Sequence, residues 1–122
     1  MKGNIISFDT EEWFHTYFFE KHIPFDKWHE QPSRVGIGLN KILQCLKNAN
    51  VQATFFVVGA VAERNPEIIP LIEEAGHEVG VHGYAHRMIT IQSPNEFHDD
   101  IAKAREVVEK YSANPVTGYR AP

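Results

Sequence analysis

The sequence predicts an α/β fold of parallel strands joined by crossover helices, and three observations carry that prediction. The short apolar runs "NIISF" (4–8), "QATFFVVG" (52–59) and "HEVGVH" (77–82) are continuous rather than alternating, as strands covered on both faces are. The segments between them repeat apolar residues at helical spacing or carry helix-start signals. With "NPVTGYRAP" (114–122) read as the beginning of a fourth strand, the order becomes β-α-β-α-β-α-β, that of a parallel sheet with crossovers. This order alone does not separate a barrel from a doubly wound sheet. At 122 residues the chain is one domain at most, long enough for a modest core.

The first strand, 4–8, is β-branched and aromatic and ends at the acidic "DTEE". Residues 13–33, "WFHTYFFEKHIPFDKWHEQPS", are crowded with aromatics without clean periodicity and close at Pro32, so they read as a long loop packed over something. From Arg34 the spacing of Val35, Leu39, Ile42, Leu46 and Ala49 predicts a helix, with Ser33 as its N-cap. After the strand at 52–59, Asn65-Pro66 gives a cap followed by a first-turn proline, predicting a helix that runs to an αL stop at Gly76. The third strand is 77–82. "SPNE" (93–96) then combines an N-cap serine, a first-turn proline and a capping-box glutamate. The helix it opens buries Phe97, Ile101, Ala104, Val108 and Tyr111. No internal repeat or low-complexity segment is evident.

Composition is ordinary for a soluble globular protein, 43% hydrophobic and 23% charged. A formal net charge of −4 and the lack of a basic cluster argue against nucleic acid as a partner. Cys45, the only cysteine, excludes an internal disulfide and a thiolate metal cluster. No apolar stretch approaches the roughly 20 residues of a membrane span. Met1-Lys2-Gly3-Asn4 leads straight into a strand-like run, so no signal peptide is expected and a cytoplasmic location follows by default.

In parallel α/β folds, functional groups gather just past the carboxyl ends of the strands. Three polar clusters fall there: Asp9 and Glu11 after the first strand, His82 and His86 after the third, and Arg120 after the fourth. Each has a bland reading. Two histidines four apart are weak evidence by themselves, the two acids also fit solvated strand ends, and Arg120 also fits a surface ion pair. His15, His22, His29, His77 and His98 are assigned to surface or loop packing, with His15, near the acids, as the exception to watch. The aromatic loop reads as a hydrophobic lid or, alternatively, a sugar platform. The conjunction points further. Two imidazoles and a carboxylate form a three-ligand set with a position open for water, the pattern of a catalytic zinc. A second carboxylate two residues from the ligand can serve as general base on that water.

These residues also resemble a known family, the polysaccharide deacetylases of the NodB-homology type (carbohydrate esterase family four). "SFDTEEWFH", "ATFFVVGAVAERNPEII", "GHEVGVHGYAHR" and "GYRAP" look like its successive motifs, in order along the whole chain. The first is similar to the Phe-Asp-Val-Glu-Asp-Trp-Phe motif of the branch linked to exosortase exopolysaccharide clusters. The resemblance implies a deformed (β/α) barrel, usually of seven strands, of which this chain is the amino-terminal portion. It implies hydrolysis of acetyl groups, chiefly N-acetyl, on a polysaccharide or oligosaccharide. By position, Asp9 is then the catalytic base and Arg120 the residue that pairs with and orients it. Glu11, His82 and His86 hold a divalent metal, usually zinc.

Three departures from the family pattern stand out. Thr10 follows Asp9 where the commoner motif has a second aspartate, which makes Glu11 the ligand, with Glu12 as the substitute. Gly83 stands where Ser or Thr usually follows the first histidine, so the hydrogen bond of that side chain comes from elsewhere or is absent. The sequence ends at Pro122, inside the third motif, before the oxyanion donor and the Leu-x-x-His motif whose histidine protonates the leaving amine. The expectations are a half barrel with an exposed edge at the fourth strand, prone to self-association, and weak or no turnover by this chain alone. A non-catalytic module that binds glycan or metal, and a barrel hydrolase acting on small amides, are the alternatives.

Overall fold

The computed structural model describes residues 3–122; Met1 and Lys2, part of the amino-terminal run read above, lie outside the described residues. Three parallel strands, β1 (Ser7–Thr10), β2 (Thr54–Val57) and β3 (Glu78–Val81), form one sheet in the order β1-β2-β3. Helices α1 (Val35–Ala49), α2 (Gly59–Arg64), α3 (Ile68–Glu74) and α4 (Pro94–Glu109) connect and cover it. The register aligns Asp9 with Phe56 and Phe56 with Gly80, so the carboxyl ends of all three strands reach one rim. Phe55, Val57, Val79 and Val81 of the sheet, with Leu39, Leu46, Ile68, Ile69, Ile72, Ala104 and Val108 of the helices, make the core.

The first strand lies later than expected. Asn4, Ile5 and Ile6 are exposed, and the ladder begins where the Thr54 N–H donates to the Ile6 carbonyl at 3.1 Å. Ser7 pairs with Thr54, the first residue of β2, and Asp9 consequently sits inside β1 rather than beyond it. The aromatic segment is not structureless. It holds three 3-10 turns (Trp13–His15, Tyr17–Phe19 and Phe25–Glu30) and buries Phe14 and His15.

Helix α1 starts with Arg34, not Ser33, at its N-cap. The helix expected from Asn65 to Gly76 is α3, begun at Ile68, and α2, which precedes it, is a short helix that the sequence reading does not include. The residue before a proline is pushed out of the αR region, and Asn65, at φ −130° and ψ 65°, ends α2 one residue before Pro66. The αL stop at Gly76 is present, with φ +84° and the His77 N–H returning to the Ile72 carbonyl. His77 is buried rather than on the surface: its Nδ1 accepts from the Ala53 N–H at 3.4 Å, tying the entries of β2 and β3. The Ser93–Glu96 capping box of α4 is formed, and that helix buries Ala104 and Val108 fully and Phe97, Ile101 and Tyr111 in part. The expected fourth strand amounts to one parallel bridge, Val81 with Tyr119. Pro115 and Pro122 flank it without N–H groups to extend a ladder.

The segment after α4 is tied down by Glu73 of α3, which accepts from the Ser112 hydroxyl, the Ala113 N–H and the Asn114 amide at 2.6, 2.8 and 3.1 Å. Burial alone would raise its carboxyl pKa, but these hydrogen bonds outweigh it and hold the group below its ordinary value. A depressed carboxylate contributes stability above its unfolded pKa and loses it as pH falls through the folded one. Glu73→Ala is therefore expected to cost about 1 kcal/mol at neutral pH, with a smaller difference near pH 3. Urea midpoints at the two pH values measure this, and an equal loss at both would contradict it.

Candidate metal centre at the strand rim

Side chains two apart on a strand share a face. Asp9 on β1 and Glu11 just beyond it therefore approach the rim together, while Thr10 between them is buried. His82 is the first residue past β3, fixed by its N–H to the Val57 carbonyl at 2.9 Å. The chain then turns through Gly83 (φ +70°) and reaches His86, itself at φ +52°.

Glu11, His82 and His86 converge, each offering one ligand atom, with these atoms all within 4.8 Å of one another. His82 is buried, and its Nδ1 lies 2.9 Å from the Arg120 carbonyl. That contact makes Nδ1–H the donor and leaves Nε2 as a bare lone pair toward the site. Glu11 Oε2 lies 2.7 Å from His86 Nε2. Although buried, this oxygen takes part in no hydrogen bond. Buried polar atoms are nearly always paired. A buried carboxylate oxygen that meets an imidazole nitrogen without a hydrogen bond, beside a second imidazole, is the donor set of a divalent cation, so the residues present fit one.

Asp9 stands beside this set and is held differently. Arg120 donates from Nη1 to Asp9 Oδ1 at 2.7 Å and from Nη2 to the Ser7 hydroxyl, with its guanidinium 4.3 Å from the centre of the Phe56 ring. Asp9 Oδ2 is left facing His82 Nε2 at 4.0 Å. One oxygen is anchored and the other points into the site. The three sequence clusters thus meet at one rim, across 111 residues of chain between Asp9 and Arg120.

Glu12, the alternative ligand, is committed elsewhere. Its buried carboxylate accepts from the Ser33 hydroxyl at 2.5 Å, the Arg34 N–H at 3.0 Å and the Val35 N–H at 3.2 Å. It caps the first turn of α1, the role expected of Ser33. Local sequence carried no signal for this, because the cap and the helix are 22 residues apart. Asp100 of α4 was missed for the same reason: its carboxylate accepts from the Tyr84 and Ala85 N–H groups at 2.9 and 3.4 Å.

His15 is buried within the aromatic segment, with its ring stacked on Trp28 at 3.9 Å and centred 6.0 Å from His86. Burial, helped by the nearby imidazoles of His86 and His82, pushes its pKa down to about 3, so it stays neutral. Beside His86 a cavity of about 420 Å³ opens, walled by Phe14, His15, Phe25, Trp28 and Met88. Among the described residues no helix is long and apolar enough to cross a membrane.

The polysaccharide deacetylase family model matches residues 28–122, a span that contains His82, His86 and Arg120 but not Asp9 or Glu11. The chain is 35% identical over 82 residues to a peptidoglycan-N-acetylglucosamine deacetylase of Bacillus cereus, covering 67% of this chain and 30% of that protein. It is 33% identical over 86 residues to the peptidoglycan deacetylase of Helicobacter pylori, covering 70% and 29%. The Listeria monocytogenes peptidoglycan-N-acetylglucosamine deacetylase PgdA is 37% identical over 81 residues, 66% of this chain and 17% of its own length. The chain thus spans less than a third of the length of these relatives.

Among solved structures, peptidoglycan deacetylase PdaC from Bacillus subtilis superposes with a TM-score of 0.70 at 26% identity, over 97% of this chain and 48% of that one. The CE4 family pseudoenzyme BA3943 from Bacillus anthracis shares the fold, with a TM-score of 0.70 at 24% identity over 97% of this chain and 35% of its own. With the parallel α/β fold in common and the family model matched from Trp28 to Pro122, the chain belongs to the polysaccharide deacetylase family.

Proposed function

We propose that this chain carries the metal centre and the base of a metal-dependent glycan deacetylase, with Glu11, His82 and His86 as ligands to zinc. The observation that supports it best is the buried Glu11 Oε2, without a hydrogen bond, among two imidazoles. Bound there, a zinc ion supplies Lewis-acid polarisation of the acetamide carbonyl and acidifies water. Asp9 Oδ2 takes the proton of the attacking water. Arg120 holds Asp9 in place through Oδ1 and, by its backbone carbonyl, keeps the His82 tautomer that presents Nε2. Water adds to the acetamide carbon, the C–N bond breaks, and the proton held by Asp9 passes to the leaving nitrogen, giving acetate and a free amine.

The substrate in this reading is an N-acetylated polysaccharide. The likeness of "SFDTEEWFH" to the exosortase-linked branch favours an exopolysaccharide. The cavity beside His86, with its aromatic wall, suits the apolar face of a pyranose ring. The sheet edge at the fourth run, residues 114–122, where only the Val81–Tyr119 bridge forms, is where a second copy would pair. The 122 residues contain no Leu-x-x-His, so this chain alone turns over weakly.

Two measurements test the proposal: zinc affinity of the chain by chelator competition, and amine release from N-acetylglucosamine oligomers by the whole protein. Tight one-to-one binding with amine release supports it. Binding without turnover by the whole protein would instead favour a non-catalytic module, and no binding would remove the metal reading.

A further inference from the structure

We infer that Asp100 is the positioning residue of the metal centre, fixing the turn between His82 and His86 so that both imidazoles reach Glu11. The inference rests on the metal reading above. The turn is fastened on both sides. The Gly83 and Tyr84 carbonyls accept from the Gly59 and Ala60 N–H groups at the start of α2, at 2.9 and 3.0 Å. The Tyr84 and Ala85 N–H groups donate to the Asp100 carboxylate of α4. Two elements far away in sequence thus hold four consecutive backbone groups of a turn whose own residues have no ladder to join.

Such a clamp is needed because His86 adopts the left-handed region at φ +52°. For a residue with a Cβ that conformation costs on the order of 1 kcal/mol or more, and it persists only where its surroundings impose it. Gly83 explains why the clamp comes from α4. A Cβ built at that position would stand 2.9 Å from Asp100 Oδ2, so the carboxylate fills the space that a side chain after the first histidine would use. The hydrogen bond that Gly83 cannot supply is delivered by Asp100. Losing it leaves the Tyr84 and Ala85 N–H groups unpaired and frees His86 to relax to negative φ, away from Glu11.

The test is zinc affinity by chelator competition and the visible spectrum of the cobalt-loaded protein, for wild type, Asp100→Ala and Asp100→Asn. The expected result for Asp100→Ala is about a tenfold or greater loss of affinity, with a changed cobalt spectrum. Asn keeps one acceptor oxygen and loses less. A purely structural role would lower the urea midpoint measured with chelator present while leaving both metal readouts unchanged. Zinc affinity within threefold of wild type for Asp100→Ala, with an unchanged cobalt spectrum, overturns the inference. Should that variant not fold, Asp100→Asn decides by the same spectral criterion. Amide exchange at Tyr84 and Ala85 gives a readout without metal: faster exchange in either variant supports the clamp, and unchanged protection overturns it. If wild type binds neither ion, the metal reading fails, and amide exchange still decides whether Asp100 holds the turn.

Discussion

Asp9→Asn is expected to lower amine release by the whole protein about 10²–10⁴-fold while zinc affinity stays within a few fold. Glu11→Ala and His82→Ala are expected to lower zinc affinity by roughly 100-fold or more, beyond what loss of a supporting contact costs. The two carboxylates are only two residues apart, yet the structure gives them different partners. Glu11 Oε2 sits against His86 without a hydrogen bond, whereas Asp9 is taken by Arg120 through Oδ1 and keeps Oδ2 turned to the rim. An asparagine at position 9 retains the Arg120 contact through its oxygen but has no lone pair basic enough to accept the proton of water. Chelator competition and amine release, measured on the same preparations, separate the two roles. If Asp9→Asn loses zinc as completely as Glu11→Ala, then Asp9 is a ligand and the assignment of a base falls.

The second large effect is structural. Glu12→Ala is expected to destabilise the chain by about 2–4 kcal/mol, combining the loss of a helix cap with that of charge-assisted hydrogen bonds. Its buried carboxylate is the acceptor for the first amides of α1 and for Ser33. With alanine there, the Val35 N–H loses its acceptor and the start of a 15-residue helix loses its hold on the end of β1. Glu12→Gln keeps one acceptor and should lose less than half as much. Urea unfolding with chelator present isolates this from metal binding. A change below 0.5 kcal/mol for Glu12→Ala, roughly that of an ordinary surface substitution, would show that the cap contributes little.

The contrast between Glu11 and Glu12 shows how far a sequence reaches. "DTEE" presents three carboxylates in four residues, and period-two alternation already places Asp9 and Glu11 on one face. What Glu12 does is decided by Ser33, Arg34 and Val35, which no local pattern connects to it. His77 is equally illegible: an imidazole after a helix-stop glycine looks like a surface residue until packing buries it. Helix α2 is illegible because it follows directly on the apolar run of β2, with Gly59 as its first residue and no side-chain cap to mark its start.

The parallel α/β class, the capping box of α4 and the Gly76 stop are legible in the sequence, because periodicity and local turn chemistry act over a few residues. That Asp9, Glu11, His82, His86 and Arg120 share one rim is legible from their places at strand ends and from the family resemblance. Tertiary structure alone decided that the fourth run forms a single bridge, that Glu12 caps α1, and that Asp100 and the start of α2 clamp the histidine turn. Each of those depends on which buried N–H meets which acceptor across 15 or more residues of chain, and that pairing is settled only when the helices pack on the sheet.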